Sequence, residues 1–241
     1  MRRAKLLLIG FGFAALIVAA ALFMLLATPA GPRALKPKIE RELSQAVGYK
    51  VSIGAIDGPL AAMRIRDIAF SDNQGVFLTL DAASIGWRPA RAFARDYVVD
   101  SIEVDGGDLR RKPVSEDRDE TFKGITLPTD LPRISVHSLA VSRMRVAQDV
   151  SGRASILSAR GSAQLGDDAI NVSFRLSSEG ARDDIGIEAR TRGARATLNA
   201  RVVSSPDGVI AALAGTDGAI DVTVSGEGAL SAFDLRADGA L

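Results

Sequence analysis

The chain has no cysteine, one histidine and few aromatic residues, and each shortage excludes a class of chemistry. Without cysteine, neither a disulfide framework nor a thiolate metal site can form. A single histidine, His137, excludes a His-rich metal site and the HExxH motif. Aromatic residues make up 5% of the chain, which disfavours a pocket that stacks bases or sugars. The 30 basic and 29 acidic side chains nearly cancel, so nucleic acid is not an expected partner.

The longest uncharged stretch is at the N-terminus, where "LLLIGFGFAALIVAAALFMLLA" follows a basic tail at residues 1–5. As a helix it would extend about 33 Å, against about 30 Å for the hydrocarbon core of a bilayer. The pattern predicts a transmembrane signal anchor over residues 6–28, with the tail in the cytoplasm and the rest exported. A cleaved signal peptide is the alternative, but the run exceeds the usual apolar region of about 7–15 residues.

An amphipathic helix is predicted directly after the anchor, over residues 32–48. Leu35, Ile39, Leu43 and Val47 recur at helical spacing, and Gly48 is a natural helix stop. The helix could touch the membrane surface or cap the open end of a sheet, and we favour the cap.

Residues 49–241 follow a period of two, as in "INVSFRL", and are divided by "GDD", "EGARDD", "SPDG" and "GTDG". Alternation between such turn sequences predicts a mainly β fold, with an elongated antiparallel sheet that has one apolar and one polar face. No long helical pattern is available to cover the apolar face. The sheet must therefore curl, pack against another sheet or hold something apolar. The charged segment 110–124 is predicted to be a solvated loop, and Arg110–Lys112 a solvated strand end.

Three local features could carry chemistry, and for each we favour a structural interpretation. The "DNQG" stretch, Asp72–Gly75, lacks the oxygen ligands of a calcium loop, so we predict a hairpin turn with Gly75 at positive φ. Trp87 is a possible partner hot spot, but is predicted to pack where the sheet meets a short helix. His137 is predicted to lie at the surface. No Ser-His-Asp set or paired carboxylates stand out, so no enzymatic activity and no cofactor are expected.

The first half of the chain resembles a known family. The similarity is carried by "IERELSQAVGYKVSIGAIDGPL", "MRIRDIAFSDNQGVFLTLDAASIGWRPARAF" and "VVDSIEVDGGDLRRKP". These stretches resemble the N-terminal part of the TamB family, the inner-membrane subunit of the translocation and assembly module, in the AsmA-like, chorein-type group of bridge-like lipid-transfer proteins. The resemblance covers residues 1–113, and beyond them only the strand rhythm is similar. The matching positions are Gly58, Asp72, Gly75, Phe77, Leu78, Trp87, Pro89, Arg111 and Pro113.

The resemblance implies a U-shaped antiparallel sheet with an apolar lining, anchored in the inner membrane by a single pass. The N-terminus would be cytoplasmic and the bulk of the chain periplasmic, and the chain would be the start of a longer one. An outer-membrane barrel of the Omp85 type would be the partner. The expected role is passage of phospholipid, with its acyl chains in the groove, between the inner and outer membranes.

Two further interpretations stay open at this point. The chain could instead be a scaffold that assists assembly of outer-membrane proteins or autotransporters by strand pairing. The same alternation would also fit a dry sandwich core. If the apolar face is a lipid groove, its lining is predicted to be Val172, Phe174, Leu176, Ile185, Ile187, Leu198, Val202, Val222 and Val224.

Overall fold

The computed structural model describes residues 32–114, 133–166, 169–180, 182–229 and 232–240. The predicted anchor at residues 6–28 lies outside these ranges, as does the predicted loop 110–124 beyond residue 114. In the part of the chain that is described, no helix is long and apolar enough to cross a membrane.

Eleven strands within the described ranges form one sheet, and their order in space is their order in the sequence. The strands are β1 (Lys50–Asp57), β2 (Ala62–Asp72), β3 (Gly75–Trp87), β4 (Asp96–Leu109), β5 (Arg133–Val146), β6 (Ser155–Leu165), β7 (Ile170–Glu179), β8 (Asp184–Arg192), β9 (Arg195–Ser204), β10 (Ile220–Ala229) and β11 (Ala232–Ala240). The helices are α1 (Pro32–Val47), α2 (Pro89–Ala92), α3 (Gln148–Ser151) and α4 (Val209–Ala214).

The prediction of a mainly β fold is confirmed, but the expectation of a wholly antiparallel sheet is wrong at one pair. β4 and β5 run parallel, with Val104 opposite Val141, whereas the other neighbouring strands are antiparallel. A parallel pair cannot be joined by a tight hairpin and needs a connection of a dozen residues or more. Residues 110–132 supply that length. β1 and β11 are not paired with each other, so the sheet is open.

The ladder is interrupted at one aligned position on each of the first five strands. The pairing skips Gly54, Asp67, Asp81, Gly106 and Arg143, and the register of β5 against β6 shifts at the last of them. Asp67 and Arg143 adopt positive φ although they are not glycine. A side chain on Gly106, at φ 80°, would collide with the carboxylate of Asp81. Such interruptions bend and twist strands, so their alignment gives β1–β5 a common bend.

The helix α1 lies along the outer edge of β1 and binds its exposed backbone groups. The Val51 N–H donates to Ser44 Oγ at 2.8 Å, and the Ile53 N–H donates to Glu40 Oε1 at 2.7 Å. Lys36 Nζ donates to the carbonyl of Gly54 at 3.2 Å. An unpaired edge is open to pairing with another chain. In this arrangement α1 blocks that edge.

Two short helices cover part of the apolar face, which the alternation of the sequence did not indicate. α3 contributes Val150 and α4 contributes Val209 to the same buried cluster as Leu176 and Ile185. The stretch "VIAALA" between two turn sequences contains no helical period long enough to predict α4. The buried cluster therefore runs from α1 and β1 to β8, and α3 and α4 cover its last part.

Candidate functional site

The pairing register aligns apolar side chains of neighbouring strands into rows that cross the second half of the sheet. The first row contains Ala159, Leu176, Ile185, Val202 and Val222, each opposite the next. Directly paired residues of adjacent strands point to the same face. The row is therefore a continuous apolar path at right angles to the strands.

Two further rows lie beside the first, because residues two positions apart on one strand share a face. One contains Gly161, Phe174, Ile187, Ala200 and Val224, and the other contains Ala163, Val172, Ala189, Leu198 and Gly226. The predicted lining residues thus fall into three adjacent rows.

The rows continue into the first half of the sheet through the parallel pair. Leu139 on β5 joins Gly161 to Ile102 on β4, and Val141 joins Ala159 to Val104 in the same way. Neighbouring strands are about 4.8 Å apart, so the eleven strands extend over about 48 Å along the hydrogen bonds. The rows therefore continue from the second half of the sheet into the first.

The nine predicted lining residues are not equally covered. Leu176 and Ile185 are 5% exposed and belong to the closed core next to α4. The other seven are half-buried, and they are Val172, Phe174, Ile187, Leu198, Val202, Val222 and Val224. At the end of the sheet Leu235 on β11, beside Gly226, is 64% exposed. Coverage thus falls from the core toward β11, so the apolar face is a closed core at one end and accessible at the other.

The opposite face of the same strands carries charged pairs. Arg201 Nη2 lies 3.3 Å from Asp221 Oδ2, and Arg190 Nη2 lies 3.5 Å from Glu188 Oε2. These side chains are more than half exposed, so each pair contributes little to stability. Their effect is to fix which face meets water, since a register slip of one residue would turn the charges into the apolar rows.

A concave region of about 760 Å³ is lined by residues of β5 to β9, which are mostly polar but include Val136 and Val172. Its side chains include Gln164, Asn171, Arg190, Arg192 and Arg195.

The "DNQG" stretch forms the β2–β3 turn, and Gly75 has φ 104°, as predicted. The sequence analysis missed what the turn binds. Arg111 contacts both carboxylate oxygens of Asp72, at 2.7 and 2.5 Å, and donates to the carbonyl of Gly75 at 2.7 Å. The same guanidinium lies 5.9 Å from the ring centre of Phe77. The prediction that Arg111 belongs to a solvated strand end is therefore wrong. No local pattern indicates the pair, because Asp72 is 39 positions away in the sequence.

This pair is a structural clasp, since Asp72 is enclosed and saturated. Its side chain is 3% exposed, and its oxygens also accept the N–H groups of Gln74 and Val114, both at 2.8 Å. The bonds from Arg111 hold the pKa of Asp72 well below its ordinary value of 3.8. The clasp ties the end of β4 to the β2–β3 turn.

We expect Asp72→Asn to lower the melting temperature by a few degrees at neutral pH and to reduce sensitivity to acid. Because the folded pKa is depressed, the stability that the carboxylate contributes is present above about pH 4 and is lost as pH falls below it. The difference between the melting temperatures of wild type and variant should therefore be constant from pH 7 to about pH 5 and should narrow as the pH is lowered below about 4. Asp57→Asn, which removes an exposed pair with Arg66, is the matched control and should change little. A constant difference at all pH values would contradict the expectation.

Trp87 and His137 lie where the sequence analysis expected them. Trp87 is 3% exposed and its indole N–H donates to the carbonyl of Leu60 at 2.6 Å. His137 is exposed, with Nδ1 3.4 Å from Asp100 Oδ1. Trp87 belongs to the same buried cluster as Leu176 and Ile185, whereas His137 lies outside it.

Within the described ranges, no group of three or more His, Asp or Glu side chains is placed to hold a metal ion. Comparisons with protein-family models, with curated proteins and with solved structures found no match to this chain.

Proposed function

We propose that this protein is an inner-membrane-anchored periplasmic conduit that moves phospholipid between the inner and outer membranes. The acyl chains would lie on the apolar rows while the headgroups stay in water. The proposed site is the open part of the rows, from β7 to β10. No catalytic residue and no cofactor are required for this role.

The single observation that supports the proposal most is the continuity of the rows across strands. A sandwich core also alternates, but its apolar side chains are covered by a second layer. Here the part of the chain that the structure describes forms one sheet, and seven of the predicted lining residues are only half-buried. Each CH₂ group removed from water contributes about 0.8 kcal/mol, so a half-open apolar surface of this kind holds acyl chains. Equivalent neighbouring positions let a chain move along it.

The anchoring and the partner complete the proposal. The uncharged stretch at residues 6–28 would hold the chain in the inner membrane, and the rows would lead away from it. An outer-membrane barrel of the Omp85 type would receive the lipid at the far side. Direction would come from that partner or from energy supplied elsewhere.

A scaffold for assembly of outer-membrane proteins is the second candidate, and one asymmetry of the sheet favours it. The edge of β1 is blocked by α1, whereas β11 has no second neighbour among the described strands. A client strand could pair with such an edge. In that case proline substitutions on β11 would impair function more than changes in the rows.

In-cell photo-crosslinking along β7 tests both candidates. A photoreactive residue is placed in turn at Val172 and Phe174, which point into the rows, and at Asn171 and Ser173, which point to the polar face. The conduit predicts phospholipid adducts at positions 172 and 174 and none at 171 and 173. Adducts with a client or partner protein at 172 and 174 would favour the scaffold. If all four positions yield adducts only within the chain, the apolar face is dry and the conduit is excluded for this segment.

A further inference from the structure

The direction of α1 shows which end of the strands the chain enters from. Ser44 binds Val51, Glu40 binds Ile53 and Lys36 binds Gly54, so α1 runs opposite to β1. Pro32, at the start of α1, is therefore directed toward the Asp57 end of β1. The predicted anchor precedes Pro32 and would join the sheet at this end.

Two turns stand at the same end of the strands and are tied together. One joins β1 to β2, and the other contains α2 and joins β3 to β4. Trp87 links them, because its backbone N–H donates to Ala61 and its indole N–H donates to Leu60. The Asp72–Gly75 turn lies at the opposite end of the strands.

Several exposed residues of these two turns are apolar. Phe93, which follows α2, is 95% exposed and is the most exposed large hydrophobic side chain in the described ranges. We use the name apolar tip for the exposed residues Pro59, Ala61, Ala90, Phe93 and Ala94. A single exposed apolar side chain is ordinary, but an aromatic among several apolar neighbours marks an interaction surface.

The backbone that presents Phe93 is held in place. The Arg88 N–H donates to Val98 at 2.9 Å, the Ala94 N–H donates to Arg91 at 3.0 Å, and the Arg95 N–H donates to Ala92 at 3.0 Å. Arg95 has φ 56°, an unusual conformation for a residue other than glycine or asparagine. Strain of this kind persists where the surrounding structure enforces it, and it is common at functional surfaces. Phe93 is thus presented by an ordered turn.

Three arginines lie in the connection that carries Phe93, and two of them form ion pairs. Arg88 pairs with Asp100 at 3.0 Å and Arg91 pairs with Asp96 at 2.6 Å. Arg95 is a third arginine in the segment Trp87–Asp100, so the segment carries one more positive than negative charge. An exposed aromatic side chain beside basic residues is a pattern by which proteins bind the headgroup region of anionic bilayers.

We infer that the apolar tip rests on the membrane in which the chain is anchored, with Phe93 inserted among the headgroups. The inference rests on the anchoring in the proposed function and adds an orientation. This contact places the ends of β1–β4 that carry the two turns against the bilayer.

Spin labels test the orientation without disturbing the tip, because the chain has no cysteine of its own. The full chain is reconstituted in vesicles of phosphatidylethanolamine and phosphatidylglycerol, with one label at Ala94→Cys or at Gln74→Cys. Both sites are exposed, and they lie at opposite ends of the strands. We expect the label at position 94 to be accessible to oxygen and several-fold less accessible to a water-soluble nickel chelate. The label at position 74 should be accessible to the nickel chelate, as expected for a site in water.

Adding Phe93→Ser should return the label at position 94 to water, while a Val76→Ser control at the other end should have no effect. An aqueous label at position 94 in vesicle-bound protein overturns the inference, and so does a membrane-embedded label at position 74. Protein that does not float with the vesicles overturns the anchoring and the inference together. Lipid adducts at Val172 and Phe174 report on the conduit separately, so the two ideas can fail independently.

Discussion

Replacing Asp183 with alanine should destabilise the protein by about 3–5 kcal/mol, more than any other single polar substitution we consider. Asp183 is 3% exposed and binds four donors. Ser204 Oγ donates to it at 2.5 Å and Ser178 Oγ at 2.8 Å. The N–H groups of Val209 and Ile210, in the first turn of α4, donate at 2.9 and 3.4 Å. The carboxylate therefore caps a helix from another part of the chain.

The loss would be large because two of the donors, Ser204 and Val209, are buried and cannot bond to water instead. Ser204 Oγ also accepts the Ala211 N–H at 3.1 Å, so removing Asp183 loosens a second bond at the start of α4. A side chain at Gly208 would collide with Asp183 Oδ1 and with Ser204 Oγ, so the backbone before α4 packs closely against these two oxygens. Unfolding of α4 would in turn uncover Val209, which is 2% exposed in the core.

Thermal and urea melts of the full chain would measure this effect, and we expect the melting temperature to fall by about 10 °C. Asp207→Ala is the matched control, since Asp207 lies directly before α4 but makes an exposed pair with Arg153. Its removal should change stability by less than about 0.5 kcal/mol. Equal effects of the two variants would show that Asp183 does not act as the cap. In the Asp183→Ala variant, we expect amide hydrogen exchange to become faster in α4.

The hairpins of the second half follow from the sequence because local chemistry determines them. Alternation over ten residues identifies a strand, and short Gly- and Asp-containing breaks leave room only for a tight turn. Consecutive hairpins then place each strand beside the next one. The register that aligns Phe174 with Ile187 follows from the turn lengths.

The features that the sequence did not reveal depend on distant partners. Asp72 and Arg111 meet only because β2, β3 and β4 are already adjacent, and Asp183 reaches α4 across 26 positions. The parallel pairing of β4 and β5 has no local signal either. The alternation of apolar and polar residues is the same in parallel and antiparallel strands. The direction of β5 relative to β4 therefore depends on the connection between them. The aligned interruptions on β1–β5 are likewise invisible in a strand taken alone.

The candidate site was also predictable only in part. Alternation correctly identifies which side chains share the apolar face, since that depends only on the period of two. It does not indicate how far the face is covered. Leu176 and Ile185 have the same pattern as Ile187, but α3 and α4 close the core around them. Coverage depends on short helices whose sequences give little periodicity.

Replacing Ile187 with aspartate should reduce phospholipid capture at position 172 by about ten-fold or more. Ile187 occupies the middle row, opposite Phe174 on one side and Ala200 on the other. A carboxylate at position 187 stays hydrated, and an acyl chain that passes over it must displace the bound water. Burying a polar group without a partner costs roughly 2–7 kcal/mol, and about 1.4 kcal/mol is a factor of ten. The charge therefore acts as a barrier across the row.

The measurement is the yield of phospholipid adducts at position 172, by mass spectrometry, in cells that produce equal amounts of protein. Thr223→Asp is the matched control, because it adds the same charge on the polar face opposite Arg201. It should leave the adduct yield unchanged. Ile187→Val keeps the row apolar and should also retain capture. Ile187 is only half-buried, so the aspartate variant should stay folded, which a thermal melt would verify. Undiminished capture in a folded Ile187→Asp variant would exclude these rows as the lipid path.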